Sequence, residues 1–232
     1  MMMCYTISAT KANHLFWLGR YVERAYLSLH LLRRYYDKMI EDDSTIYEEF
    51  YSKLDAINPY RDKESFQKGS LYDMLNPCSV LSILELVNDN AIVLREEIST
   101  ETLSYVQLSQ FFIKKMQKEG VVNITNLQPI TDYLLAFWGS IDERVFDERV
   151  RNILRAGRLI ENIDMHIRFD YPYSRIQEAF DSLRVCTEVD SSIFDIDLIT
   201  TIEEQLSDEA YANRDSSYKF KLLKLINNIV LI

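Results

Sequence analysis

Glycine is scarce in this 232-residue chain, and two of its five glycines occupy equivalent points of one repeated pattern. The pattern reads Gly19-Arg20-Tyr21-Val22-Glu23 and returns 138 positions later as Gly157-Arg158-Leu159-Ile160-Glu161. A helix interior normally excludes glycine, which costs about 1 kcal/mol relative to alanine. Yet each copy lies within a long stretch of helical periodicity. In the first, Leu18, Val22, Ala25, Leu29, Leu32, Tyr36 and Met39 follow in alternating steps of four and three, one continuous apolar stripe. In the second, Ile153, Ala156, Ile160, Ile163 and Ile167 take the places of Leu15, Leu18, Val22, Ala25 and Leu29. The repeat therefore predicts two long helices, antiparallel or crossing, packed along residues 15–38 and 146–169 with their glycines facing.

Helix geometry puts Gly157, Glu161, Asp164 and Arg168 on one face beside that stripe, and Gly19, Glu23, Tyr26 and His30 on the corresponding face of the first copy. A glycine one turn before the glutamate removes the side chain that would shield the carboxylate. Three readings follow. Arg20 can meet Glu161 and Arg158 meet Glu23, an internal pairing that sets packing register. The same carboxylates and guanidiniums can hold an anionic or peptide-like ligand, or the face can dock another protein.

Composition agrees with helices. Hydrophobic residues make up 47% and charged residues 27%, the balance of a globular chain. All four prolines (Pro59, Pro77, Pro129, Pro172) fall between periodic segments. The expected architecture is all-α, a single helical-bundle domain over residues 1–232. Helices are expected from Ser8 or Thr10 to the Glu41-Asp42-Asp43-Ser44 stop, then at 46–57, 80–98, 100–120, 128–140 and 143–169. The C-terminal ones are expected at 174–189, 195–206 and 216–231. Residues 58–78 read as a connection with a short helical turn, and Gly120-Val121-Val122-Asn123 is too isolated to be a strand.

The formal charge of −10, with no sustained basic stripe, argues against nucleic acid as a partner. Cys4, Cys78 and Cys186 are widely spaced and odd in number, which suits free thiols in a reducing compartment. The start lacks the basic and apolar regions of a signal peptide. The apolar tail from Leu222 to Ile232 is too short to span a bilayer. A cytoplasmic protein with no membrane contact is expected.

Catalytic signatures do not emerge. No histidine among His14, His30 and His166 has a glutamate three residues before it, as a bundle-core di-iron site requires. Zinc, nucleophile-elbow and phosphate-loop patterns are missing too. No metal or cofactor is expected. Cys78, after Asn76-Pro77 at an expected helix start, reads as a capping-loop cysteine before a nucleophile. His166 reads as a packed or surface histidine.

The segment from His14 to Ala25, around Gly19-Arg20-Tyr21-Val22-Glu23-Arg24, resembles the opening signature of the bacterial alpha-E domain family. Asn76-Pro77-Cys78-Ser79, with Asn90, Arg95 and Glu97, is similar to that family's central Asn-Pro-x-Ser block. Gly157 to Glu161, with Asp164 and Arg168, is similar to its second Glu-Arg helix. The matching blocks span about residues 8–170. Glu161-Asn162 stands where the family usually has Glu-Arg, Val87 where an arginine is common, and His14 where an asparagine is usual.

The resemblance implies an all-helical fold and a gene neighbourhood of ATP-grasp ligase-like and transglutaminase-like proteins. It implies an accessory or partner-binding protein in peptide or amide-bond synthesis or processing. Two alternatives stand beside it. One is an enzyme using Glu23 and Glu161 as acid and base, with Arg20 and Arg158 holding the substrate. The other is a purely structural domain that uses the seam internally.

Overall fold

The computed structural model describes residues 7–41, 46–189 and 193–231. Cys4 and the acidic stop at 42–44 lie outside them. The protein is 79% helical. Its helices are α1 (Ala9–Glu41), α2 (Ile46–Lys53), α3 (Lys63–Tyr72), α4 (Val80–Val93), α5 (Arg95–Ile98) and α6 (Thr100–Glu119), then a 3-10 turn (Ile124–Leu127). They continue with α7 (Gln128–Arg144), α8 (Glu148–Arg168), α9 (Tyr173–Val189), α10 (Ile196–Gln205), α11 (Asp208–Ala212) and α12 (Ser216–Ile226). Among the described residues the one β-type pairing is an isolated antiparallel bridge, Phe194 to Val230.

Local chemistry sets most boundaries. Ser8 Oγ accepts from the Lys11 amide and starts α1. Ser79 Oγ accepts from Ser82 at the head of α4, and Ser99 Oγ from Thr102 at the head of α6. Gly120, at φ 64°, closes α6 in the left-handed conformation that glycine adopts without strain.

Several helix bounds differ from expectation: α7 runs on to Arg144, so the helix expected at 143–169 begins at Glu148, and the one expected at 216–231 ends at Ile226. The second helix stops at Lys53 and not Ile57, because Asp55 turns to φ 54°. Residues 58–78 contain a ten-residue helix, α3, opened by a reciprocal capping box between Asp62 and Ser65. The expected 80–98 helix breaks at Leu94, whose backbone leaves the helical region at ψ 11°. An additional short helix, α11, follows the Ser207 cap.

The contacts divide the chain into two compact units: residues up to Arg20 with Val145 onward, and Tyr21–Arg144. The long helix α1 contributes to both. In the first unit α8 packs against α9 and α12, α10 against α12, and α11 against α9. In the second, α6 packs against α7 and α4, and α3 against α4 and α6. An aromatic cluster of Tyr35, Phe50, Tyr51, Tyr60 and Phe66 fills the space around α2 and α3, ring edges meeting ring faces.

Both stripes are core. Leu15, Leu18, Val22, Ala25 and Leu29 are fully buried, as are Ala156, Ile160, Ile163 and Ile167.

Candidate functional site

The two motif glycines meet reciprocally within the first unit. A Cβ on Gly19 would stand 2.1 Å from the Leu154 carbonyl oxygen and 3.2 Å from the Arg158 nitrogen. One on Gly157 would stand 2.2 Å from the Phe16 oxygen and 3.2 Å from the Arg20 nitrogen. Each glycine thus receives the backbone of the other helix, three residues before and one residue after the opposite glycine. No side chain fits there.

That close approach brings Arg20 onto Glu161. Its Nε donates to Glu161 Oε2 at 2.8 Å, and a terminal nitrogen reaches the same oxygen at 2.8 Å. Both side chains are buried, that of Glu161 completely. The Arg20 guanidinium also lies over the Trp17 and Phe16 rings, 5.2 and 5.8 Å from their centroids. Glu23 is 2% exposed; Arg24 and Arg158 are partly exposed. The seam is therefore interior, with the Arg20–Glu161 half of the expected pairing formed.

Farther along the same face, Asp164 is clamped from two sides. Arg168 Nε donates to its Oδ1 at 2.6 Å, and Asn227 Nδ2 to its Oδ2 at 2.7 Å. The second contact ties α12 to α8.

The central block is a helix-start assembly. Asn76 Nδ2 donates to the hydroxyls of Tyr51 (2.7 Å) and Tyr60 (2.9 Å), while its Oδ1 accepts from the Cys78 amide (2.9 Å). Ser79, fully buried, caps α4. Burial raises the pKa of Tyr60 to about 12 and pushes the Tyr51 hydroxyl up as well. Asn90 Nδ2 donates to the Leu86 carbonyl, and Arg95 is exposed. The structure brings Asn76 and Ser79 together at the head of α4.

A feature that reasoning along the chain did not single out lies between α8 and α9. These helices line an open groove of about 510 Å³, bordered among others by Arg155, Arg158, Asn162, His166 and Arg175. On α8 these residues recur at helical spacing on one face. The contribution of α9 is invisible until the two helices pair. His166 is buried and stacked on Tyr171, with ring centroids 4.3 Å apart, and burial with nearby Arg175 lowers its pKa to about 4. Cys186, in the same wall, has its thiol pKa raised by burial.

Among the described residues no cluster of His, Cys, Asp or Glu side chains is placed to hold a metal ion. No helix there is long and apolar enough to cross a membrane. No curated protein and no solved structure matches the chain. One family model does: Alpha-E, described as a predicted alpha-helical domain with a conserved ER motif, which matches residues 8–189. The matched span takes in Glu23-Arg24, the Asn-Pro block and the second Gly-Arg-x-x-Glu helix, and reaches past residue 170 through α9. The chain belongs to the Alpha-E family.

Proposed function

We propose that this protein acts as a helical partner of another protein in a peptide or amide-bond synthesis or processing system, with an ATP-grasp ligase-like or transglutaminase-like protein as the partner. The observation that carries this reading is a set of exposed apolar residues on α4 and α6. These helices are joined by Lys114 Nζ to Glu85 (2.6 Å) and by Gln110 Nε2 to Glu85 (2.7 Å). The residues next to that bridge, Leu86 and Phe111, are exposed, as are Val93 on the same face of α4 and Leu108 one turn before Phe111. Exposed apolar residues grouped beside a polar bridge suit a protein interface. The partner's chemistry rests on the family resemblance.

The alternative, with Glu23 and Glu161 as acid and base, requires a substrate to reach both carboxylates. Glu161 is fully buried and already bound by Arg20, which favours the partner reading.

The test is retention of purified neighbouring-gene products on the immobilised protein. Phe111→Lys and Leu86→Lys are expected to weaken retention at least about tenfold, the effect of losing a buried apolar anchor at an interface, with helix content unchanged. Turnover by the isolated protein that Glu23→Gln abolishes at unchanged melting temperature would overturn the proposal in favour of the enzyme.

A further inference from the structure

The family match ends at residue 189, and the chain continues through α10, α11 and α12. This continuation holds to itself. The Asp195 amide donates to the Ile229 carbonyl and the Leu231 amide to the Ile193 carbonyl, both at 2.8 Å, so its two ends are joined. The Tyr218 hydroxyl donates to the Gln205 carbonyl (2.9 Å), and α10 packs on α12. Residues 193–231 thus form a small module, with Ile199, Ile202, Leu222, Ile226 and Ile229 buried.

The module is fastened to α8 and α9 by polar ties. Asn227 Nδ2 donates to Asp164 Oδ2 at 2.7 Å. Arg214 donates through Nε and a terminal nitrogen to Asp170 Oδ1, both at 3.3 Å, and Lys219 Nζ meets the same oxygen. The Tyr211 hydroxyl donates to the Tyr171 carbonyl (3.0 Å), and that of Tyr173 to the Leu206 carbonyl (3.2 Å). Arg214, Lys219 and Asp170 are 23%, 27% and 29% exposed, so water and salt reach the two ion pairs. Contacts of this polar, part-solvated kind open locally at lower cost than an apolar core.

The charges are complementary. From Tyr211 onward the chain carries four basic side chains (Arg214, Lys219, Lys221, Lys224) and one acidic, Asp215, although the whole chain has a formal charge of −10. Two of the cations and one amide are directed at Asp170 and Asp164, both within the family match. Asp164 shares a helix face with Gly157 and Glu161. α1 takes the Gly157–Glu161 part of that face, and the module takes the Asp164 part.

We propose that residues 193–231 are a latch on the second motif helix, which opens as a body and yields Asp164 and Asp170 to a cationic segment of a partner protein. That segment supplies donors where Arg214, Lys219 and Asn227 now stand. The existence of a partner rests on the proposed partner-binding function; the opening does not, and it is read on the protein alone.

Hydrogen exchange of the full-length protein reads the opening. Amides of α11 and α12 are expected to exchange while those of α8 stay protected, and about threefold faster at about 0.5 M salt than at about 0.05 M. Asp170→Asn keeps a residue that tolerates φ 57° and removes the charge, and should speed exchange in α12 about tenfold with α8 unchanged. A labelled peptide of residues 207–231, added in trans, is the cationic probe. It is expected to bind the Arg214→Gln, Lys219→Gln protein about tenfold tighter than the unaltered one, because a loosened latch competes less. Adding Asp170→Asn to that variant should remove the gain. Exchange of α12 only together with α8 would overturn the latch. Opening with equal peptide binding by both proteins would overturn the cationic partner, and concentration-dependent dimers of the loosened variant would put a second copy in its place. Retention that depends on Phe111 bears on neither readout.

Discussion

Three glycines set the terms at the scale of single residues. At Gly19 and Gly157 an added methyl meets carbonyl oxygens at 2.1 and 2.2 Å, whereas at Gly139, inside α7, it meets nothing within 4 Å. All three substitutions by alanine raise helix propensity by about 1 kcal/mol. Only Gly139→Ala is expected to stabilise the protein by about that amount. Gly19→Ala and Gly157→Ala are expected to destabilise it by about 1–3 kcal/mol net or more, because the opposing atoms are backbone and cannot rotate away. Denaturant titration of the three variants separates these outcomes. The close approach at the two motif glycines was legible in the sequence, since an expensive residue repeated at equivalent helix positions calls for one.

His166 shows the limit of that legibility. Its burial and its stacking on Tyr171 depend on the turn at 169–172, which no periodicity announces. Its folded pKa of about 4 lies below the ordinary value of 6.5. The unfolded chain therefore binds the proton more readily between those values. Its contribution to stability is full above about pH 6.5 and lost as pH falls toward 4. His166→Gln should flatten that part of the pH–stability profile; an unchanged slope would mean the ring is not held neutral.

Caps and polar clamps decide where elements begin and what they hold. Ser79→Ala is expected to cost about 1 kcal/mol, the usual loss of a serine cap. Asn76→Ala should cost more, since it also leaves the buried Tyr51 hydroxyl without its donor. The neighbouring phenols titrate high, with Tyr60 and Tyr72 at about 12. Stability tied to them is full below about pH 10 and lost as pH rises through 12, readable from phenolate absorbance during alkaline unfolding.

Helix starts at Ser8, Ser79 and Ser99 were legible because a hydroxyl before a periodic run has one obvious use. The α3 start was less legible, because its capping box pairs Asp62 with Ser65 in place of the commoner glutamate. The Leu94 break and the Asn227–Asp164 clamp were not legible at all. The first occurs within an unbroken apolar pattern, and the second joins residues 63 positions apart.

For the whole molecule, α1 is one helix that supplies residues to both compact units, so melting either unit removes order from a helix the other uses. We expect a single cooperative unfolding transition with coincident far- and near-ultraviolet circular dichroism. Two separated transitions would mean two independent domains.

The central claim is that the repeated Gly-Arg-x-x-Glu element builds the fold from inside, and its direct test is a double-mutant cycle on Arg20 and Glu161 by global unfolding. Arg20→Met and Glu161→Met should each cost about 3–5 kcal/mol, because each strands a buried charge, while the double variant should cost far less than their sum. Additivity within about 0.5 kcal/mol would contradict the account, for it would mean that the two residues do not support each other in the folded protein.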